Sequence, residues 1–344
     1  MADTGSRGGR RQVVVVTGAS AGIGRATVRE FAKHGADIAL LARGEQGLRA
    51  AACEVEAAGG RALAICVDMA DAGAVDEAAA RIEVELGPID IWVNNAFAGM
   101  FAQFLDVTPE EYRRVTEVTY LGQVWGTRAA LRHMLPRDRG SIVLVGSALA
   151  YRGIPLQSAY CGAKHATQGF LDSVRTELLA RRSRVNLTMV QLPGVNTPQF
   201  DWVRAKTPGR PKPTGAIYQP EVAARAIRFA ARSRRKEIYV GWPAYEAILA
   251  DKMASSLADR YLARGSIEDQ QSKARLEGER QDNLFAPVEG DRGAHGRFDR
   301  QSRSTSLLLS ATMNRNVIAL ASIGLLGLGA AWWRGGRRSR QEVE

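Results

Sequence analysis

Cysteine is scarce in this chain, with only Cys53, Cys66 and Cys161 in 344 residues. An odd number without metal-ligand spacing argues against a disulfide framework and for a reducing compartment. Cys161 lies beside a tyrosine considered below. A thiolate nucleophile needs a base assigned to activate it, and none is read here, so a small packed residue is expected. Long apolar runs are also scarce ahead of residue 317. The first, Val13–Val16, is too short for an export segment, and residues 1–11, rich in Gly and Arg, read as a flexible tail. Acid is short relative to base, 36 Asp and Glu against 47 Lys and Arg, for a net charge of +11. The excess gathers in residues 201–236, with ten basic residues against Asp201 and Glu221, and in 300–344, with seven arginines against Glu342 and Glu344. No recognition helix, zinc finger or aromatic RNA-binding signature accompanies it. No nucleic-acid partner is expected, and solvated faces, anionic lipid or a phosphorylated substrate account for the charge.

What the chain does have is a regular alternation of short apolar strands and longer helical patterns from Gln12 to about Gly241. The strands are expected at 12–16, 36–42, 61–67, 89–93, 141–145, 184–190 and 237–240. Near-continuous apolar strands joined by helices predict a parallel sheet covered on both faces, and right-handed crossovers make it a doubly wound, Rossmann-like α/β fold. The catalytic domain is placed at 12–243. An amphipathic helix follows at 244–263, with Tyr245, Ile248, Leu249, Met253, Leu257 and Tyr261 at helical spacing, expected to dock on the main domain. Residues 264–314, poor in large apolar side chains, read as a polar linker. A C-terminal apolar helix is placed at 315–334, and a basic tail at 335–344. Its core, Val317–Trp333, is seventeen residues without a charge, ending in Trp332 and Trp333 before an arginine cluster. At 1.5 Å per residue it falls just short of a ~30 Å hydrocarbon core, and it predicts membrane lipid contact with a cytoplasmic catalytic domain.

Between the first strand and the first helix stands TGASAGIG, residues 17–24. Gly18, Gly22 and Gly24 permit a tight turn and close approach of a phosphate. Ser20 and Ile23 flank that approach, and the helix N-terminus offers unpaired N–H groups to a pyrophosphate. The spacing resembles the TGxxxGxG pattern of the short-chain dehydrogenase/reductase family, and the resemblance covers about residues 11–242. At the end of the second strand Ala42 removes the carboxylate that would favour NAD(H). Arg43 supplies a guanidinium for a 2′-phosphate, with Arg25 and Ser20 as helpers, so NADP(H) is expected ahead of NAD(H). The resemblance further implies that Asp68 accepts from the adenine amine. It also implies that the backbone around Asn95 in Asn94-Asn95-Ala96-Phe97 lines the adenosine side, Phe97 standing where the family has glycine.

Tyr160 and Lys164 lie four apart in SAYCGAK and so on one helix face. A neighbouring ammonium favours the phenolate and should lower the tyrosine's pKa toward a useful range. Ser147, thirteen residues earlier in SIVLVGS, matches the family's spacing and can hold a carbonyl or alcohol oxygen near the phenol. The family's turn after the sixth strand is matched by Pro193, Gly194 and Thr197, which the resemblance places at the nicotinamide carboxamide or phosphates. Thr119 stands where the family's catalytic asparagine belongs, and it retains a main-chain carbonyl and a hydroxyl for the proton relay. Residues 196–218 should form a lid carrying Phe200, Trp202, Ile217 and four basic residues, and Ile154–Gln157 should lie near the pocket wall.

The expected activity is hydride transfer between NADP(H) and a small-molecule carbonyl or alcohol, apolar or lipid-like, with Tyr160 exchanging the proton. The competing reading is a membrane-tethered nucleotide-binding scaffold with turnover reduced through Thr119. The resemblance also implies a homo-oligomer.

Overall fold

A computed structural model describes residues 10–276 and 280–315. At its centre is a seven-stranded parallel sheet made of β1 Val13–Thr17, β2 Asp37–Ala42, β3 Ala62–Cys66, β4 Ile89–Asn94, β5 Ser141–Val145, β6 Asn186–Gln191 and β7 Glu237–Tyr239. Their spatial order is β3-β2-β1-β4-β5-β6-β7. All seven expected strands are present, and the doubly wound α/β fold stands.

The sheet is buried on both faces, which is why its strands read as unbroken apolar runs. Along β1, Val14 and Val16 face one core with Ile38, Leu40 and Val93, while Val13 and Val15 face the other with Leu41 and Trp92. Each of those valines is fully buried, a contribution of about 1.5–3 kcal/mol apiece before entropy is counted. In chain order the helices are α1 Gly22–Ala32, α2 Glu45–Ala57, α3 Ala72–Glu85, α4 Pro109–Thr116, α5 Gly122–Met134, α6 Ser158–Ala180, α7 Gln199–Trp202, α8 Pro220–Ala231 and α9 Trp242–Ala263, followed by the short α10 Ser266–Asp269 and α11 Leu307–Met313. The first face is covered by α1, α2 and α8; the second by α3, α5 and α6. Helix α4 opens on a Thr108–Glu111 capping box with Pro109 in its first turn. It runs into α5 through a π-type turn, Glu117–Leu121. Strand order reverses between β1 and β4, so a crevice opens beyond their carboxyl ends, where ligands bind in open α/β sheets.

Two expectations for the C-terminal region need revision. The 264–314 stretch is mostly irregular, but it is not a free linker. Three of its apolar residues each fill a separate gap: Leu284 among Ala98, Met100 and Val115, Phe298 among Phe101, Leu156 and Phe200, and Leu309 in the sheet core. Gln271–Arg275 pairs antiparallel with Gly209–Pro211, and Ser302–Arg303 pairs parallel with Ile217–Tyr218. Composition averaged over fifty residues hides such isolated anchors. Helix α9 forms as expected and is held by Arg152, which bonds Asp259 and Ser255. Of its apolar residues whose burial is described, Tyr245, Leu257 and Tyr261 are exposed rather than buried against the main domain as expected. Among the described residues no helix is long and apolar enough to cross a membrane. The Val317–Trp333 run lies outside the described residues.

Candidate active site

The crevice starts with the glycine turn. Gly18 and Gly22 have φ of 65° and 57°, the left-handed region that glycine adopts without strain. Gly24 is required by contact instead, since a Cβ there would stand 2.0 Å from the Gly18 carbonyl oxygen. Asn95, just past β4, clamps the turn: its Nδ2 donates to the Thr17 and Gly18 carbonyls at 2.9 and 3.3 Å, and its N–H donates to Thr17 Oγ1 at 2.9 Å. The result is a cradle lined by Ser20, Gly22 and Ile23 at the first turn of α1, where the Gly22 N–H donates to the Gly293 carbonyl at 3.0 Å. Backbone and N-terminal dipole together suit a pyrophosphate, and no side chain fills the space.

At the far end of the same cavity stand Arg43 and Asp68. Neither is free. The Arg43 guanidinium donates to the carbonyls of Asn283, Leu284 and Phe285. Burial, then the nearby Arg114, lowers its pKa from the ordinary arginine value. Asp68 accepts from Arg114 and from the Ala70 N–H. Burial would raise its pKa, but the Arg114 and Ala70 bonds and the charges of Arg114 and Arg43 together outweigh that and hold it below the ordinary value. Arg25, expected as a phosphate helper, is instead structural. It is 1% exposed, and its guanidinium is consumed by Glu54, Asp291 and the Ser20 and Gly47 carbonyls.

A second cavity, about 320 Å³, adjoins the first through Ile23, Asn95, Phe97, Thr197 and Gln199, which line both. Ser147, Tyr160 and Lys164 all face it. Ser147 ends the β5 loop, and its Oγ accepts from the Leu149 N–H at 3.1 Å, which fixes the rotamer. Lys164 is 2% exposed. Its Nζ donates to the Val145 carbonyl at 2.7 Å and sits 5.6 Å from the Tyr160 ring centre. Burial lowers the Lys164 pKa to about 7. Tyr160 goes the other way from the expectation: burial pushes its phenol well up, and the Ser147 hydroxyl opposes this only in part. Pro193, Gly194 and Thr197 line the cavity. Of the suggested wall residues, Ile154 and Gln157 line it, whereas Leu156 is buried in a neighbouring cluster. Cys161 is buried and its thiol is pushed up by burial, in keeping with a packed residue.

Residues 12–207 match the family described as short chain dehydrogenase. The chain is 31% identical to an uncharacterized oxidoreductase of Bacillus subtilis, YxnA, over 324 residues, covering 93% of this chain and 90% of that protein. The chain belongs to the short chain dehydrogenase family. It is 33% identical to the 3-dehydrosphinganine reductase of Danio rerio over 222 residues, 62% of this chain and 66% of that protein. Among solved structures, an alcohol dehydrogenase from the archaeon Thermococcus sibiricus, complexed with 5-hydroxy-NADP, superposes with a TM-score of 0.59 at 26% identity, covering 67% of this chain and 96% of that one. A metagenomic short-chain oxidoreductase in complex with NADP gives 0.57 at 28% identity, with the same coverage.

In this short chain dehydrogenase Thr119 lies outside both cavity walls. It is fully buried in the π-type turn, where its hydroxyl donates to the Ala98 carbonyl at 2.6 Å and accepts from the Ala98 N–H at 2.8 Å. The side chain therefore pins the loop after β4, and its hydroxyl is not offered to Lys164. Phe97 turns its ring edge-on to Tyr160, with centres 6.0 Å apart. Sequence reasoning missed Met100, Phe101 and Leu149 on the second cavity, and Asn283, Pro287 and Arg292 on the first. Of these only Arg292 carried a local signal, the Gly290-Asp-Arg-Gly293 turn inside the polar stretch.

Proposed function

We propose that the chain is an NADP(H)-dependent reductase or dehydrogenase acting on the carbonyl or alcohol of an apolar small molecule. The observation that carries this reading is that Ser147, Tyr160 and Lys164 share one largely apolar cavity, and that this cavity opens onto a glycine cradle ending at Arg43. When bound, the nicotinamide supplies the carbon that gives or takes the hydride. Ser147 Oγ holds the substrate oxygen. Tyr160 Oη, whose raised pKa keeps its proton at neutral pH, delivers that proton to a carbonyl oxygen or recovers one from an alcohol. Lys164 orients the phenol and reaches for ribose hydroxyls. A water relay behind Lys164 would use the main-chain carbonyl of Thr119.

The NADP(H) preference rests on Arg43 and on the absence of an acidic residue at Ala42, and both similar solved structures carry NADP or a derivative. Phe97, Met100, Phe101 and Phe200 give the second cavity its apolar character. Among the described residues, Lys212 is the one other cation on its wall. It has no carboxylate partner among the described residues, whereas its lid neighbours Arg204 and Lys206 are paired with Glu111. An apolar substrate with an anionic end fits that lining. The test is NADPH consumption by purified protein against aldehydes, ketones and long-chain carbonyls with and without a carboxylate or phosphate, with Tyr160→Phe as control. Consumption that survives in Tyr160→Phe would refute the assignment.

Membrane association rests on the uncharged Val317–Trp333 run and its flanking arginines. Fractionation of the full chain beside a form ending at Arg315 tests it; identical behaviour without detergent removes the tether from the proposal.

A further inference from the structure

The C-terminal segment from Asn283 to Gly293 crosses the mouth of the first cavity, and its fastenings lie at both ends. At one end three consecutive carbonyls, of Asn283, Leu284 and Phe285, accept from Arg43, and Leu284 also accepts from Arg114 Nε at 3.0 Å. In the middle Pro287 and Val288 line the cavity, Pro287 facing Gly44. At the other end Gly290 and Gly293, with φ of 88° and 62°, bracket a sharp turn. Asp291 Oδ1 accepts from the Gly293 N–H and from Arg25 Nη1, both at 3.1 Å, and the Gly293 carbonyl accepts from the Gly22 N–H at 3.0 Å. The segment is thus tied directly to the glycine turn.

This strap presents Arg292. Its Nε donates to the Glu289 carbonyl at 3.1 Å and its guanidinium lies 6.0 Å from the Trp202 ring centre, so the side chain is held beside the cavity it lines. No carboxylate pairs with it among the described residues. Arg43 and Arg292 are the only cations among the described residues of that cavity wall. Arg43 stands at the Asp68 end. Arg292 adjoins Gly293, and so stands at the glycine end, where Arg25 is already neutralised by Glu54 and Asp291.

We infer that the Asn283–Gly293 strap is a working wall of the dinucleotide site, and that Arg292 is its pyrophosphate-binding cation. This rests on the dinucleotide reading above. A guanidinium beside the first turn of α1, whose Gly22 N–H the Gly293 carbonyl takes, would meet the pyrophosphate from the strap side and add to the N–H groups that follow. Because the strap crosses the cavity, the dinucleotide enters and leaves only when the Asp291 and Gly293 fastenings open. The similarity to the Bacillus oxidoreductase covers 93% of this chain and therefore extends into the region carrying the strap.

Arg292 is exposed, so Arg292→Ala leaves the fold intact, which thermal unfolding checks. The test is fluorescence titration of the full-length protein with NADPH and with NADH, together with stopped-flow measurement of NADPH release. Because the pyrophosphate is common to both dinucleotides, Arg292→Ala should weaken both by a similar factor, about tenfold, and leave their ratio unchanged. Asp291→Ala, which frees the strap without touching Arg292, should speed NADPH release several-fold. Unchanged affinities in Arg292→Ala, a loss confined to NADPH, or unchanged release in Asp291→Ala would each overturn the inference while leaving the dinucleotide reading in place. A wild-type chain that binds neither dinucleotide overturns both.

Discussion

Lys164 donates to the main-chain carbonyl of Val145 at 2.7 Å from a position almost sealed from solvent. Its ammonium is held by a single neutral acceptor, and burial brings its pKa to about 7 from an ordinary 10.5. Below pH 7 both folded and unfolded chains carry the proton, and the folded state bears the full cost of the buried charge. Between about 7 and 10.5 the unfolded chain binds more protons, so stability rises with pH across that window. The cofactor-free protein should therefore unfold at higher temperature at pH 9 than at pH 7. Lys164→Met should flatten that dependence and raise the pH 7 midpoint by a few degrees, since about 1 kcal/mol shifts a domain of this size by roughly 2–4 °C. Val145 would keep a donor in Gln123 Nε2, at 3.3 Å. Thermal unfolding of both forms from pH 6 to 10 checks this, and parallel curves would count against it.

Tyr160→Phe removes only the hydroxyl that exchanges the proton and preserves the ring packed edge-on to Phe97. Turnover should fall by about 10²–10⁴-fold, the usual weight of a positioned acid or base. Dinucleotide affinity should change less than twofold. Steady-state rates beside a binding titration separate the two quantities. A loss of binding equal to the loss of rate would mean that the phenol holds cofactor more than it moves a proton.

Arg43 has two employments, three strap carbonyls and the expected 2′-phosphate. Arg43→Ala should cut the preference for NADPH over NADH by at least about tenfold, near 1.4 kcal/mol. Some weakening of both is expected as the strap loosens. The ratio of the two dissociation constants at one ionic strength is the readout, and an unchanged ratio would move the 2′-phosphate contact elsewhere.

Thr119→Val should act on stability first. It deprives the buried Ala98 N–H and carbonyl of their shared hydroxyl partner, a cost of about 1–3 kcal/mol. Thr119→Ser should restore most of it. If the main-chain carbonyl suffices for the relay, folded Thr119→Val should retain most of its turnover. Denaturant unfolding and rate measurements on the three forms decide between a pin and a proton carrier.

Much of the site was legible before the fold, because its determinants are local. The glycine spacing, the four-residue step from Tyr160 to Lys164 and the strand alternation are short-range patterns that the backbone converts directly into a cradle, a shared helix face and a two-sided sheet. The direction of the Tyr160 shift was not legible. Lys164 in SAYCGAK promises a nearby charge, but burial of both groups outweighs that promise, and burial belongs to the packed structure. Arg25 reads as a phosphate ligand until Glu54 and Asp291 are seen to consume it.

Chain periodicity by itself determined the doubly wound sheet and its seven strands, and the four-residue step put Tyr160 and Lys164 on one helix face, since each depends on residues close in sequence; Ser147 was read from the resemblance to the family. Only the tertiary structure decided what Thr119 bonds, what occupies Arg43 and what closes the crevice. Leu284 meets Arg114 across 170 positions and Asn283 meets Arg43 across 240. A stretch with one apolar anchor every ten residues or so has no period to read. It gains its order from gaps in a domain that is already folded, where Leu284 and Phe298 each complete a cluster that the preceding chain leaves open.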